Sequence, residues 1–155
     1  VANYFRTLIP KKTEFYLHQF TIKKGSNYYG LIFGTGHTLG MEKFLKVCWD
    51  KDKLSGESNF SMYNDYQPNT LFYTETNTVR INDYKEQLKK AILTGKLSNN
   101  LDGMKHALLN GVPTRAYVEV IEEIKDKIEI VGKFNKKITN IHRLKETDIY
   151  QIKTK

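Results

Sequence analysis

The chain has 155 residues, enough for one full domain or two small ones, and its 39% of apolar residues can supply a packed core. No stretch approaches the roughly 18 consecutive apolar residues of a membrane span, and no secretory signal pattern is present, so we expect no membrane partner. The single Cys48 cannot form an internal disulfide, and the four histidines show no metal-ligand spacing. These features predict a cytoplasmic protein without a structural zinc site.

The formal net charge is +8, and it is unevenly distributed. Residues 1–81 hold ten Lys and Arg against seven Asp and Glu, whereas residues 82–155 hold fifteen against ten. Within the last segment, residues 129–155 hold seven against three. The excess near the C-terminus is compatible with polyanion binding and equally with a soluble surface, and composition does not decide between them.

The first elements in chain order are two strand-like runs, 14–23 and 27–35, rich in aromatic and β-branched residues. Lys24, Gly25 and Ser26 join them, which predicts an antiparallel hairpin with a tight reversal at Gly25. The second run is apolar on both faces, which is typical of a strand covered on two sides. Residues 39–49 then repeat apolar side chains at helical spacing.

A glycine-rich turn, FGTGHTLG, connects the second strand to this helix. Its spacing is G-x-G-x-x-x-G, one residue longer than the dinucleotide-binding fingerprint, and no P-loop lysine follows. We therefore expect a turn that needs a positive φ and close helix packing, rather than a cofactor cradle. His37 lies in the turn without a neighbouring nucleophile, so a capping or turn-stabilising role is expected for it instead of catalysis.

Residues 50–70 are rich in Asp, Ser, Asn and Gly without a sustained period, which indicates a connector. The predicted organisation is an α+β chain with a hairpin-helix lobe over 1–58, a connector over 59–70 and a second domain over 71–155.

The second domain shows three helical patterns, over 81–95, 101–109 and 115–128. Alternating runs at 127–134, 137–144 and 148–153 follow, with a polar turn at 135–137. Three helices followed by a basic hairpin is the element order of a winged helix-turn-helix domain.

If this domain binds DNA, its third helix is the natural recognition helix, and Thr114 and Arg115 lie in its first turn. Farther along, Glu119, Glu122, Glu123 and Asp126 would repel the phosphate backbone, which leaves only the N-terminal tip for close approach. The predicted wing supplies a better phosphate footprint. Its candidate DNA-binding residues are Lys133, Lys136, Lys137, His142, Arg143 and Lys145. The alternative is a winged helix that serves protein docking or domain packing.

The hairpin and the helix after it, FYLHQFTIK and YYGLIFGTGHTLGMEKFLKVCW, resemble the C-terminal part of the three-Cys-motif partner proteins. These are bacterial proteins in which a class I S-adenosylmethionine-dependent methyltransferase-like domain precedes a winged-helix domain. The chain departs from the family at Gly34, Gly36 and Cys48. It matches the family motif at Phe33, Thr35, His37, Gly40, Glu42, Lys43 and Trp49.

The resemblance implies that the hairpin forms the last two strands of a methyltransferase-like sheet, whose remainder lies in missing sequence or in a partner protein. The cofactor-binding glycines of that fold follow its first strand, so S-adenosylmethionine is implied for the full-length parent and no cofactor for this chain. We therefore expect a non-catalytic C-terminal fragment whose winged helix binds DNA with low sequence specificity. The alternative is part of an active methyltransferase whose cofactor site is completed elsewhere, with the winged helix docking a protein.

Overall fold

The computed structural model describes residues 2–10, 13–53, 55–60 and 79–155 and shows an α+β protein. Its helices are α1 (Ala2–Leu8), α2 (Thr38–Lys51), α3 (Val79–Leu93), α4 (Asn100–Leu109) and α5 (Arg115–Ile124). Its strands are β1 (Tyr16–Lys24), β2 (Asn27–Thr35), β3 (Ile128–Val131) and β4 (Gln151–Thr154). None of the described helices combines the length and the apolar character that crossing a membrane requires.

The chain divides into two compact units, residues 1–82 and residues 83–155. The predicted boundary, the connector over 59–70, lies beyond residue 60 outside the described residues.

The N-terminal unit contains the predicted hairpin. β1 and β2 pair antiparallel from Tyr16 opposite Thr35 to Lys24 opposite Asn27, and Gly25 turns the chain with a φ of 62°. A positive φ at the first position of a two-residue turn is the geometry that glycine allows at no steric cost. Helix α2 packs against both strands, and its Phe44 stacks on Phe33 of β2 with ring centroids 4.3 Å apart.

Most of the core of this unit lies between β1 and α2, and Leu17 is buried on the opposite face of β1 because successive side chains of a strand alternate. The core consists of side chains that are at least nine-tenths buried, namely Tyr16, Leu17, Phe20, Met41, Leu45, Cys48 and Trp49. The apolar stripe predicted for the helix is thus buried at Leu45, Cys48 and Trp49, whereas Leu39 is 42% exposed.

Strand β2 differs from the prediction, because it is not covered on two sides. Tyr28, Tyr29, Leu31 and Ile32 are all exposed. The apolar composition of β2 predicted burial, but among the described strands only β1 pairs with it, and the helix that packs on one of its faces, α2, leaves these four side chains exposed.

The C-terminal unit packs α3, α4 and α5 together with the sheet of β3 and β4. Its core includes Leu88 and Ile92 of α3, Met104 and Leu108 of α4, and Tyr117 and Ile121 of α5. All six side chains are no more than 2% exposed. They follow the helical spacing in the sequence, so the three helices were predicted correctly.

The sheet of this unit differs from the predicted hairpin. β3 pairs antiparallel with β4, from Ile128 opposite Thr154 to Val131 opposite Gln151, and residues 132–150 form a long loop between them. The strand predicted over 137–144 is wrong, because that segment contains a short 3-10 turn at Ile141–Arg143. Ile138 and Ile141 are three residues apart, a spacing that suits a turn with one inward face better than a strand.

Candidate nucleic-acid interface

The loop of residues 132–150, here called the basic loop, carries most of the predicted DNA-binding residues. It contains five Lys and Arg against two acidic residues. All six predicted wing residues are exposed to solvent: Lys133, Lys136, Lys137, His142, Arg143 and Lys145. The structure therefore places these cationic side chains together on one loop, on the protein surface.

The basic loop begins at a glycine for a steric reason. Gly132 has a φ of 125°, and a Cβ atom there would lie 2.9 Å from the Cβ of Tyr150. An L side chain rarely adopts this backbone conformation, and a Cβ would also collide with the end of the loop. Gly132 thus lets the chain leave β3 close to the segment that returns to β4.

Local hydrogen bonds and apolar anchors shape the rest of the loop. The Asn135 side chain accepts a hydrogen bond from the backbone N–H of Lys137 at 3.0 Å, an Asx turn that presents Lys136 and Lys137 to solvent. The buried Ile141 holds the middle of the loop against the protein, and Phe134 packs edge-on against Tyr150 with centroids 5.7 Å apart. The cations are therefore carried on an anchored loop.

Thr114 does not take part in a solvent-facing site. It is 3% exposed, and its hydroxyl donates a hydrogen bond to the backbone carbonyl of Thr139 in the basic loop. The sequence suggested that this hydroxyl reaches DNA, but the structure uses it to fasten the loop to the start of α5.

Arg115 is exposed, and its Nε donates to Glu119 Oε1 at 3.0 Å one helical turn away. An exposed ion pair of this kind contributes little to stability, about 0.3–0.5 kcal/mol, so a phosphate can displace the carboxylate. Arg115 remains a candidate phosphate contact, but it must first give up its bond to Glu119, which weakens its contribution to binding.

The acidic face of α5 is largely engaged with lysines of α3. Lys85 Nζ lies 2.8 Å from Glu119 Oε2, and Lys89 Nζ lies 2.8 Å from Glu123 Oε2. The hydrogen bond from Lys89 lowers the pKa of the Glu123 carboxyl below its usual value. The lysines partly neutralise these carboxylates, so α5 repels the phosphate backbone of DNA less than the sequence predicts.

The lysines of α3 that pair with these acids were not among the predicted site residues. A signal for them was present, since Lys85 and Lys89 are four residues apart and so are Glu119 and Glu123. Residues four apart lie on one face of a helix, so two helices that carry opposite charges at this spacing can pair where these faces meet. A third acid, Glu122, lies 3.6 Å from Lys136 Nζ and so couples α5 to the basic loop.

The glycine-rich turn before α2 has a packing role. A Cβ at Gly34 would lie 2.8 Å from the Phe15 ring, and one at Gly40 would lie 3.1 Å from Thr35 Oγ1. Neither of these residues nor Gly36 has a positive φ, so the predicted need for a left-handed conformation is wrong, whereas the predicted close packing is present.

His37 occupies the N-cap position of α2, but its side chain makes no capping hydrogen bond. The backbone N–H of His37 instead donates to Thr35 Oγ1 at 3.0 Å. The stabilising group in the turn is therefore the threonine hydroxyl, and the predicted capping role of the imidazole is wrong.

Within the ranges that the structure describes, no three His, Cys, Asp or Glu side chains are grouped so as to hold a metal ion. Comparisons of the chain with models of protein families, with curated proteins and with solved structures find no match.

Proposed function

We propose that the C-terminal domain predicted over 71–155 acts as a winged helix-turn-helix module that binds duplex DNA with little sequence preference. The observation that carries the proposal is the basic loop, which joins two antiparallel strands and exposes all six cationic or titratable side chains named above. Lysine and arginine on an anchored surface loop bind phosphates by releasing condensed counterions from the duplex.

The order of elements supports a winged helix. Helices α3, α4 and α5 precede β3, the basic loop and β4, and the basic loop takes the position of the wing. The segment between α3 and α4 also pairs with β4 over a short stretch. Asn99 forms an antiparallel bridge with Gln151, and the N–H of Ile152 donates to the carbonyl of Ser98 at 2.6 Å. A strand between the first two helices that joins the wing strands is consistent with this proposed architecture.

Low sequence preference follows from the side chains near the start of α5. Base readout in the major groove requires polar side chains that reach the base edges. The Thr114 hydroxyl is used internally and Arg115 is paired with Glu119. The remaining contacts come from the basic loop and suit phosphates, which position a protein on DNA without reading its sequence.

Salt dependence of binding tests the proposal. We expect four or five phosphate contacts, which correspond to a slope of roughly −4 for log affinity against log salt, measured by fluorescence anisotropy with a duplex. The double variant Lys136→Glu with Lys137→Glu should flatten this slope by about two units.

A matched control reverses the same number of charges elsewhere. Lys43 and Lys51 are exposed on α2, and Lys43→Glu with Lys51→Glu should leave most of the slope unchanged. Absence of binding at low salt, or equal losses in the two double variants, would contradict DNA binding through the basic loop and favour a protein-docking module.

Catalysis is not part of the proposal for this chain. We propose that the hairpin and α2 follow the element order expected at the end of a methyltransferase-like sheet, while any S-adenosylmethionine site belongs to the parent protein. Calorimetry with S-adenosylmethionine tests this directly, since micromolar binding to the 155 residues would contradict it.

A further inference from the structure

Strand β2 leaves an apolar edge exposed. In the part of the chain that the structure describes, β2 pairs only with β1. Tyr28 is 59% exposed, Tyr29 52%, Leu31 41% and Ile32 37%. A long, exposed and apolar edge strand is a template on which another strand can pair.

The hydrogen bonds of β1 show which residues of β2 point their backbone groups toward the free edge. The N–H of Thr21 donates to Glu57 and its carbonyl accepts from Asn59, so the backbone of Thr21 faces away from β2. In an antiparallel pair, the residue opposite an outward-facing residue also faces outward. The partner of Thr21 is Gly30. With a period of two, the outward-facing residues of β2 are Tyr28, Gly30, Ile32 and Gly34.

The charge pattern indicates what can pair with this edge. Residues 25–41 form the longest run in the sequence without Asp, Glu, Lys or Arg. Natural edge strands are commonly protected by lysine or proline, and β2 has neither. Two copies of a chain with a net charge of +8 repel one another, so a stretch without charges is the most favourable place for them to meet.

We propose that, where no further strand of a methyltransferase-like sheet occupies this edge, β2 pairs with β2 of a second copy of this chain, antiparallel and about a two-fold axis at Leu31. Leu31 is the central residue of the strand. In this register Gly30 lies opposite Ile32 of the second copy, and Tyr28 lies opposite Gly34. Each outward-facing residue then donates one hydrogen bond and accepts another across the interface. The two hairpins form one four-stranded antiparallel sheet.

The side chains of β2 are complementary to themselves in this register. On one face Ile32 lies opposite Gly30, where a Cβ would meet no atom within 4 Å. Tyr28 lies opposite Gly34, whose own face is already covered by the Phe15 ring, so the complementarity on this face comes from Gly30 and Ile32. On the other face Leu31 meets its symmetry mate, and Tyr29 meets Phe33, an aromatic pair of the kind that stabilises antiparallel sheets. A shift by two residues sets Gly30 opposite Gly30 or Ile32 opposite Ile32 and leaves an outward-facing residue without a partner inside the strand.

Cysteine cross-linking tests the register. The two Leu31 residues form a pair without hydrogen bonds, whose Cα atoms lie about 4.5 Å apart, within the range of roughly 4.4–6.8 Å that a disulfide spans. Leu31→Cys should therefore form a disulfide-linked dimer under mild oxidation. In Tyr29→Cys the two thiols are four residues out of register, about 14 Å apart, and should not cross-link. The natural Cys48 is 1% exposed and does not compete.

Sedimentation of the unmodified chain tests the association itself. We expect twice the chain mass of 18.1 kDa at tens of micromolar protein. Leu31→Lys places two ammonium groups directly opposite each other and should convert the dimer to a monomer. Val47→Lys adds the same charge at an exposed residue of α2 and should leave the dimer intact.

Three results would overturn the proposal. The first is a chain that stays monomeric at the highest concentration reached. Hydrogen exchange of that monomer would then show whether another segment of the same chain covers the outward-facing amides of β2. The second is equal cross-linking of Leu31→Cys and Tyr29→Cys, which indicates random collision. The third is a dimer that persists in Leu31→Lys, which places the interface elsewhere.

Discussion

Asn100 is hydrogen-bonded to Tyr150 across fifty positions of the sequence. The side-chain oxygen of Asn100 accepts the backbone N–H of Tyr150 at 3.0 Å, and its amide donates to the carbonyl of Asp148 at 2.9 Å. Asn100 is 1% exposed at the start of α4, and its bond to Tyr150 is buried while its bond to Asp148 is partly buried. This single side chain fastens the end of the basic loop to the helical part of its unit.

Replacement of Asn100 by alanine should destabilise the C-terminal unit. The backbone N–H of Tyr150 would be left buried without its partner and the partly buried carbonyl of Asp148 would lose its donor, which together costs about 2–3 kcal/mol. Urea denaturation followed by far-UV circular dichroism measures the loss. Asn99→Ala is the control, because Asn99 is the N-cap of α4 and its removal should cost only about 1 kcal/mol. A smaller loss for Asn100→Ala than for Asn99→Ala would contradict the anchoring role.

A second prediction concerns the contact between α4 and α5. A Cβ built on Gly103 would lie 2.1 Å from Cε2 of the buried Tyr117 ring. Gly103→Ala should therefore destabilise the chain by about 1–3 kcal/mol, although alanine favours a helix over glycine by about 1 kcal/mol. The same denaturation measurement tests this. Gly36→Ala meets only the Glu14 carbonyl at 3.6 Å and should change stability by less than about 0.5 kcal/mol. A neutral or stabilising effect of Gly103→Ala would show that the two helices can separate freely.

The local elements could be predicted from the sequence because each depends on nearby residues. Gly25 and Ser26 between two β-rich runs determine the β1–β2 turn, and helical spacing determines the buried faces of α3, α4 and α5. The pairing of β3 with β4 depends instead on contacts distant in sequence, such as the buried Ile141 and the bonds of Asn100. No local pattern reveals them, so the sequence alone predicts a hairpin with its turn at 135–137, which the structure does not contain.

The exposure of the candidate site could be predicted from the sequence, because charged side chains lie at the surface. Lysines and arginines between β3 and β4 lie at the surface because burying an unpaired charge is costly. Thr114 was not predictable, since a threonine hydroxyl at a helix start can bind a ligand, cap the helix or join another segment, and here it bonds to Thr139.

A third prediction is a loss of stability of the N-terminal unit in mild acid. His18 is 2% exposed, and burial lowers its pKa to about 4. Its Nε2 lies 3.0 Å from the carbonyl of Gly56, so the neutral ring donates this hydrogen bond. The unfolded chain takes up a proton near pH 6.5, whereas the folded chain does not until about pH 4. The stabilising effect of His18 is therefore complete above pH 6.5 and decreases as the pH falls toward 4.

The expected decrease is on the order of 3 kcal/mol across this window. Trp49, the single tryptophan, is buried in the same unit, so its fluorescence reports unfolding there. His18→Gln keeps a donor but cannot titrate, and its unfolding free energy should vary less between pH 6.5 and 4 than that of the unmodified chain. Parallel pH profiles for the two proteins would show that His18 does not control acid stability.

The last prediction concerns the acid that faces the basic loop. Glu122 lies 3.6 Å from Lys136 Nζ, and both side chains are substantially exposed. Glu122→Gln removes the carboxylate that competes with a DNA phosphate for this lysine. Because exposed pairs are worth at most about 1 kcal/mol, the affinity for duplex DNA at low salt should rise about twofold to fivefold. Fluorescence anisotropy measures the change, and high salt should reduce it since both contacts are screened.

The matched control is Asp50→Asn on α2. Asp50 is also exposed and pairs with two lysines, Lys46 at 2.6 Å and Lys53 at 3.2 Å, so the variant changes the net charge equally and releases cations in the N-terminal unit. If the basic loop is the DNA-binding surface, Asp50→Asn should increase affinity less than Glu122→Gln does. Equal gains would mean that only the overall charge matters, and a loss of affinity in Glu122→Gln would mean that the Glu122–Lys136 pair holds the loop in its binding conformation.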